Sequence, residues 1–102
     1  MTLSQNTNIQ ITFRELANTW HKETGYKSSV QDKAMHPAYQ RIIGLGQPAI
    51  PLILDELQTR PDHWFWALRA ITGDNPVPED QQGNIKVMAK DWLDWGKERG
   101  YI

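Results

Sequence analysis

The chain has 102 residues, of which 39% are hydrophobic and 23% charged, a composition typical of one soluble globular domain and not of a disordered segment. Its formal net charge is −1, with 11 basic and 12 acidic residues and no cluster of Lys or Arg, so we expect neither nucleic acid nor a membrane surface as a partner. The chain has no cysteine, which excludes disulfides and thiolate metal sites, and its polar N-terminus without a long apolar segment predicts a cytoplasmic protein.

The first helix follows a polar N-terminal segment. Residues 1–10 are predicted to be flexible, so that a single helical domain spans residues 11–102. The helix is predicted to begin at Thr12, because Thr12 and Glu15 have the spacing of a capping box. Apolar side chains then recur at helical spacing until Gly25, which indicates its end.

The next segment, residues 26–35, is ambiguous. Ser29 and Asp32 have the spacing that caps a short helical turn, whereas Pro37 soon interrupts any longer helix. A second helix is predicted to follow, with His36 as its cap and Pro37 in its first turn, where the missing N–H has no cost. It ends at the Gly-Leu-Gly sequence that comes next.

The third and fourth helices are predicted on either side of Pro61. The third, over residues 47–60, places its aliphatic side chains on one face, and Pro61 ends it. The fourth, over about residues 62–72, is apolar on nearly all sides. We therefore expect the fourth helix to lie centrally, wrapped by the others, and to end at Gly73.

The last helix comes after a connection with two prolines, over residues 74–80, which is predicted to be extended. Asn84 is expected to cap this helix, Gly100 to end it, and residues 101–102 to fold back as an apolar tail. No segment alternates between apolar and polar residues with period two, so no sheet is expected. The predicted fold class is all-α, a compact bundle of about five helices.

Part of the middle of the chain resembles a HEAT repeat. The sequence IIGLGQPAIPLIL of residues 42–54 has the Leu-Gly break and the Ala-x-Pro-Leu-type helix start of that family, and an Ala- and Leu-rich segment follows over residues 63–73. The match covers residues 36–73, little more than one repeat, whereas a solenoid needs about three repeats. The resemblance implies a HEAT-like helical hairpin in the middle of a bundle that the first and last helices close.

The whole chain also resembles a group of short bacterial proteins of uncharacterised function. The resemblance lies in HPAYQRIIG at residues 36–44, in HWFWAL at residues 63–68 running into ITG at residues 71–73, and in PVP at residues 76–78. It brings no activity that could be carried over to this chain.

The residue pattern does not favour an enzyme. The three histidines show no i, i+4 pair and no His-Glu-x-x-His array, and no serine lies in a nucleophile-elbow motif. The prolines within residues 74–80 occupy the positions where a calcium loop needs oxygen ligands. We therefore expect no catalytic residue, no metal and no cofactor.

The sequence Trp-Phe-Trp at residues 64–66 is the most informative feature. Successive residues of a helix point about 100° apart, so at least one of these rings faces a different neighbour or the solvent. Two alternatives stay open: all three rings pack in the core, or Trp66 lines an aromatic groove with His63 and the proline-containing loop.

Two functional hypotheses follow. The first is a non-catalytic protein-interaction module, a HEAT-like helical adaptor that binds another protein or a second copy of itself, because Trp and Tyr are frequent hot spots of interfaces. The alternative is a small-molecule-binding protein or minor enzyme in which His36, His63 and Asp74 converge. The candidate binding residues of the two hypotheses together are His36, Tyr39, His63, Trp66, Asp74, Asn75 and Pro76.

Overall fold

The structure, a computed structural model, describes residues 2–25 and 29–102, and within these ranges the side chains from residue 8 onward. The described ranges contain six α-helices and no strand, which confirms the all-α fold class, and five of the helices have seven or more residues. The radius of gyration of 13.2 Å is that of a compact chain of this length. The helices are α1 (Thr2–Thr24), α2 (Val30–Ala34), α3 (Pro37–Leu45), α4 (Ile50–Thr59), α5 (Phe65–Thr72) and α6 (Ile85–Glu98).

Helix α1 begins at Thr2, so the prediction that it begins at Thr12 with a capping box is wrong. A capping residue has to leave the helical conformation, and Thr12 lies inside the helix. No Gly or Pro precedes Thr12, so nothing in the sequence interrupts the helix toward its N-terminus. The flexibility of residues 1–10 stays a prediction, and Met1 lies outside the described residues.

The short helix α2 and helix α3 begin with the predicted side-chain caps. The Ser29 hydroxyl accepts a hydrogen bond from the Asp32 amide at 3.3 Å, so a helical turn forms in the ambiguous segment, of which residues 26–28 lie outside the description. His36 Nδ1 accepts a hydrogen bond from the Ala38 amide at 3.0 Å, which confirms His36 as the cap of α3.

Helix α5 begins at Phe65, three residues later than predicted, after a non-helical connection. It ends as predicted at Gly73, which has a left-handed backbone with φ 76°. The prediction that this helix is wrapped by the others is wrong, since Trp66, Arg69 and Ala70 are exposed. The reason lies in the packing: α3 covers α5, whereas α6 packs mainly on α4, so one face of α5 stays open.

The helices pair most extensively as α1 with α3, α4 with α6, and α3 with α5, while α4 and α5 contact each other less.

Three aromatic residues lie where α1, α3 and the start of α5 meet. The ring centroids of Trp20 and Trp64 are 4.4 Å apart, and Tyr39 stacks on Trp64 at 5.8 Å with an interplanar angle of 9°. All three rings are fully buried, so this cluster provides a large share of the buried apolar area. The HEAT-like hairpin stays a prediction.

Helix α6 closes the bundle. The Asn84 side chain accepts a hydrogen bond from the Val87 amide at 3.3 Å, which confirms the predicted cap. After Gly100 the chain folds back, since the Tyr101 amide donates to the carbonyl of Gly96 at 2.8 Å and the Tyr101 ring stacks on Trp95. Among the described residues, no helix is both long and apolar enough to cross a membrane.

Candidate functional site

A groove with a volume of about 250 Å³ lies beside the open face of α5. Residues from α2, α5, α6 and two connecting loops line it, so that it depends on the tertiary arrangement of half the chain. We call it the aromatic groove. Its apolar lining consists of Val30, Phe65, Trp66, Met88 and Trp92, and its polar rim consists of His63, Arg69, Asn75, Gln82 and Gly83.

The structure decides between the two alternatives for the aromatic sequence at residues 64–66. Trp64 and Phe65 are buried, with 0% and 5% of their surface exposed, whereas Trp66 is 48% exposed. Trp66 lines the aromatic groove together with His63, as one alternative expected. Val30, which also lines the groove, is 43% exposed, so the lining includes two apolar side chains that the core leaves exposed.

The rim of the aromatic groove carries one permanent charge. Arg69 lies one turn after Trp66 on α5, and no carboxylate of the described residues forms a salt bridge with it. None of the residues that line the groove is acidic. Burial lowers the pKa of His63, and the nearby Lys33 lowers it further against the opposing effect of Asp62. His63 is therefore neutral near pH 7, and the groove is positive through Arg69 alone.

Tyr39, a predicted binding residue, lies beneath the groove and not in it. Its side chain is fully buried, and its hydroxyl donates a hydrogen bond to the carbonyl of His63 at 3.0 Å. The same hydroxyl accepts a hydrogen bond from the Ala67 amide in the first turn of α5 at 2.8 Å. Burial raises the pKa of Tyr39, so the hydroxyl stays protonated. Tyr39 thus positions the start of α5, which carries Trp66.

A second groove, of about 460 Å³, adjoins the aromatic groove. Asp74 lies in this second groove, and its carboxylate is engaged by Trp95 Nε1 at 3.2 Å and by Arg99 at 3.4 Å. The Asn75 side chain accepts a hydrogen bond from the Val77 amide at 3.4 Å, which shapes the loop at the rim. The two grooves share Trp66, Arg69 and Asn75, which form the ridge between them.

The remaining candidate residues lie elsewhere. His36 Nε2 contacts the Glu23 carboxylate at 2.7 Å, and neither His36 nor Pro76 is among the residues that line the two grooves. His63 lines the aromatic groove, and Asp74 lines the second groove. His36, His63 and Asp74, the three residues of the alternative hypothesis, therefore have different surroundings. The convergence of His36, His63 and Asp74 on one ligand stays a prediction.

The structure also contains a network of charged side chains that no sequence pattern indicated. His21 on α1 contacts Glu56 on α4 at 3.0 Å through Nε2, and Asp62 in the α4–α5 connection at 3.4 Å through Nδ1. Lys33 of α2 donates to Asp62 at 2.7 Å, and Arg60 donates to both carboxylate oxygens of Glu56 at 3.0 and 3.1 Å. We call these five residues the charge network.

Hydrogen bonds between members of the charge network shift their pKa values so that the charged forms are favoured. Burial by itself would raise the pKa of Asp62, but hydrogen bonds from His21 and Lys33 outweigh it and hold this pKa well below its usual range. The pKa of Glu56 is lowered in the same way by His21 and Arg60, again against burial. The pKa of His21 is raised by its hydrogen bonds to Asp62 and Glu56, which outweigh burial and the charge of Arg60. The network therefore ties α1, α2 and α4 to the connection before α5.

No group of three or more ligating side chains among the described residues has the arrangement to hold a metal ion. No family model matches the chain, and neither a curated protein nor a solved structure does. The resemblances to HEAT repeats and to short bacterial proteins therefore stay predictions. Two features with a defined geometry bear on function, the aromatic groove at the surface and the charge network inside.

Proposed function

We propose that the protein is a non-catalytic protein-interaction module that binds another protein through the aromatic groove. The observation that carries the proposal is the 48% exposure of Trp66 beside a groove with an apolar lining. Tryptophan is enriched among the hot spots of interfaces, because it buries a large apolar area and still offers an N–H donor.

The size of the exposed surface supports this role. Burying the exposed half of a tryptophan side chain removes about 100 Å² from water. At about 25 cal/mol per Å², this burial contributes about 2.5 kcal/mol, which is the magnitude of an interface hot spot. The buried Trp64 and Trp92 already fill the core, so Trp66 is available to a partner.

The shape of the site supports a protein as its partner. The aromatic groove is open to solvent, and its lining is mostly apolar. Together with the second groove it forms an open surface on both sides of Trp66, which suits side chains that project from a protein. The HEAT-like sequence of residues 42–54 supports a helical adaptor, and the lack of cysteine suits a reducing cytoplasm.

Site-specific photo-crosslinking in cells of the native host tests this function. A photoreactive amino acid replaces Trp66 in one variant and Ile11 in the control, because Ile11 is equally exposed, at 51%, but lies on α1 away from both grooves. We expect a discrete cross-linked protein from position 66 and none from position 11. Equal cross-linking at the two positions would refute the proposal.

A further inference from the structure

The open face of α5 has the pattern of a helix-docking surface. Trp66, Arg69 and Ala70 follow each other at i, i+3 and i+4 and share one face of α5; Gly73, directly after the helix, lines the second groove with them, and all four are exposed. A large ring stands at the N-terminal end of this face and small residues at the C-terminal end. The small residues allow the axis of another helix to approach to the usual 8–10 Å, while the ring fits beside it.

The charge of this face indicates what covers it. Arg69 lies in the ridge between the two grooves and has no carboxylate partner among the described residues. The one acidic residue in the lining of the two grooves is Asp74, which Trp95 and Arg99 already engage. An occupant that buried Arg69 without compensation would lose the hydration of a full charge. A carboxylate on the occupant would instead form a charge-assisted pair with the guanidinium.

We infer that the open face of α5, with the two grooves on either side of Trp66, binds an amphipathic α-helix of a partner protein, whose apolar side chains pack around Trp66 and whose carboxylate pairs with Arg69. This inference rests on the proposed protein-binding function. An amphipathic helix commonly docks through apolar anchors at i, i+3, i+4 and i+7, and the grooves beside Trp66 offer surface to such anchors.

Two other occupants fit the surface less well. A second copy that docked through the same face would bury two Arg69 side chains in one interface without a carboxylate for either, and like charges in one interface oppose binding. A single-stranded nucleic acid needs a basic groove that follows its backbone, whereas the aromatic groove carries only Arg69. The carboxylate-bearing helix satisfies both the apolar lining and the single positive charge.

Selection from a library of random 16-residue peptides displayed on phage tests the inference with the full chain as target. We expect the enriched peptides to carry large apolar residues at helical spacing together with Asp or Glu on the same face. The best peptide, labelled with fluorescein, is then titrated with wild-type protein and with Arg69→Glu by fluorescence anisotropy. The matched control is Arg41→Glu, the same charge change on the exposed surface of α3.

We expect Arg69→Glu to weaken binding by about tenfold or more, as for other close charge pairs at interfaces, and Arg41→Glu to change it by less than about twofold. A peptide in which Lys replaces the acidic residue is expected to bind Arg69→Glu more tightly than it binds the wild type. The bound peptide is expected to show helical circular dichroism.

The outcomes separate the inference from the function on which it rests. Peptides that lose binding to Trp66→Ala but bind Arg69→Glu as tightly as wild type would overturn the inference and leave the protein-binding function intact. Peptides that bind Trp66→Ala as tightly as wild type would overturn both. Trp66-dependent binding of a labelled oligothymidine, or a wild-type dimer that Trp66→Ala dissociates in sedimentation, would overturn the helical partner in favour of those occupants.

Discussion

Replacing Tyr39 by Phe removes one oxygen atom from the core and with it the hydrogen bonds that join α3 to the start of α5. The Tyr39 hydroxyl accepts from the Ala67 amide at 2.8 Å and donates to the carbonyl of His63 at 3.0 Å. Ala67 is the third residue of α5, and the residue that precedes the helix, Trp64, provides no side-chain cap. The hydroxyl of Tyr39 is thus the partner of an amide that the helix itself cannot satisfy.

The expected loss of stability follows from these two hydrogen bonds. The buried Ala67 amide is left without an acceptor, which costs about 1–3 kcal/mol, while the half-buried His63 is nearer to water. Phe keeps the ring that stacks on Trp64, so no cavity adds to the cost. We expect the free energy of unfolding to fall by about 2 kcal/mol, which corresponds to a decrease in Tm of about 8–16 °C for a chain of this length.

Urea unfolding followed by circular dichroism measures this loss, and Tyr101→Phe is the matched control. The Tyr101 ring stacks on Trp95, but its hydroxyl makes no hydrogen bond with the described residues, so we expect its removal to change stability by less than about 0.5 kcal/mol. Hydrogen exchange of the Ala67 amide should accelerate in Tyr39→Phe alone. If Tyr39→Phe is as stable as Tyr101→Phe, the hydroxyl does not hold the start of α5 and the reasoning is wrong.

Three further predictions concern the core, the charge network and helix α6. Trp64→Ala is expected to lower the free energy of unfolding by about 3–5 kcal/mol, and Trp66→Ala by less than about 1 kcal/mol, because the first ring is buried and the second is exposed. Comparable losses in urea unfolding would contradict this difference in burial. Because the pKa of His21 is raised in the folded state, protonation of His21 stabilises the fold. The stability difference between wild type and His21→Gln should be largest below the ordinary pKa of 6.5 and should shrink as the pH rises through the raised pKa. Urea unfolding from pH 5 to 9 measures this difference, and a pH-independent difference would refute the role of His21. Gly96→Ala is expected to lower stability by about 1 kcal/mol, because an added Cβ would stand 2.6 Å from Leu54 Cδ1 and the overpacking of about 1–3 kcal/mol exceeds the gain in helix propensity of about 1 kcal/mol. A higher thermal midpoint for Gly96→Ala would show that Leu54 moves without cost.

Features that depend on neighbours in the chain could be predicted from the sequence. His36 and Asn84 cap their helices, and Gly73 ends α5, because a cap depends on the residue type and on amides two or three positions away. The all-α class followed from the period of the apolar residues in the same way. The predicted start at Thr12 failed because a capping box is also compatible with the interior of a longer helix.

The candidate site could be predicted only in part. Successive residues of a helix point about 100° apart, so at least one ring of residues 64–66 had to face a different neighbour or the solvent. This rotation does not indicate which ring it is. Trp66 is the exposed one because α3 covers the opposite face of α5, and α6 packs on α4 instead of closing over it. The position of Tyr39 under the groove likewise follows from the packing of α3 on α5.

The charge network had no signal in the sequence at all. His21 and Glu56 are 35 residues apart, and only the packing of α1 beside α4 brings them to 3.0 Å. A hydrogen bond joins atoms about 3 Å apart, so a sequence indicates it only between residues that are near neighbours along the chain. The amino-acid sequence by itself therefore determined the fold class and most helix ends, which are local. The tertiary structure alone decided which tryptophan faces the solvent and which charges are paired, because both depend on contacts between distant segments.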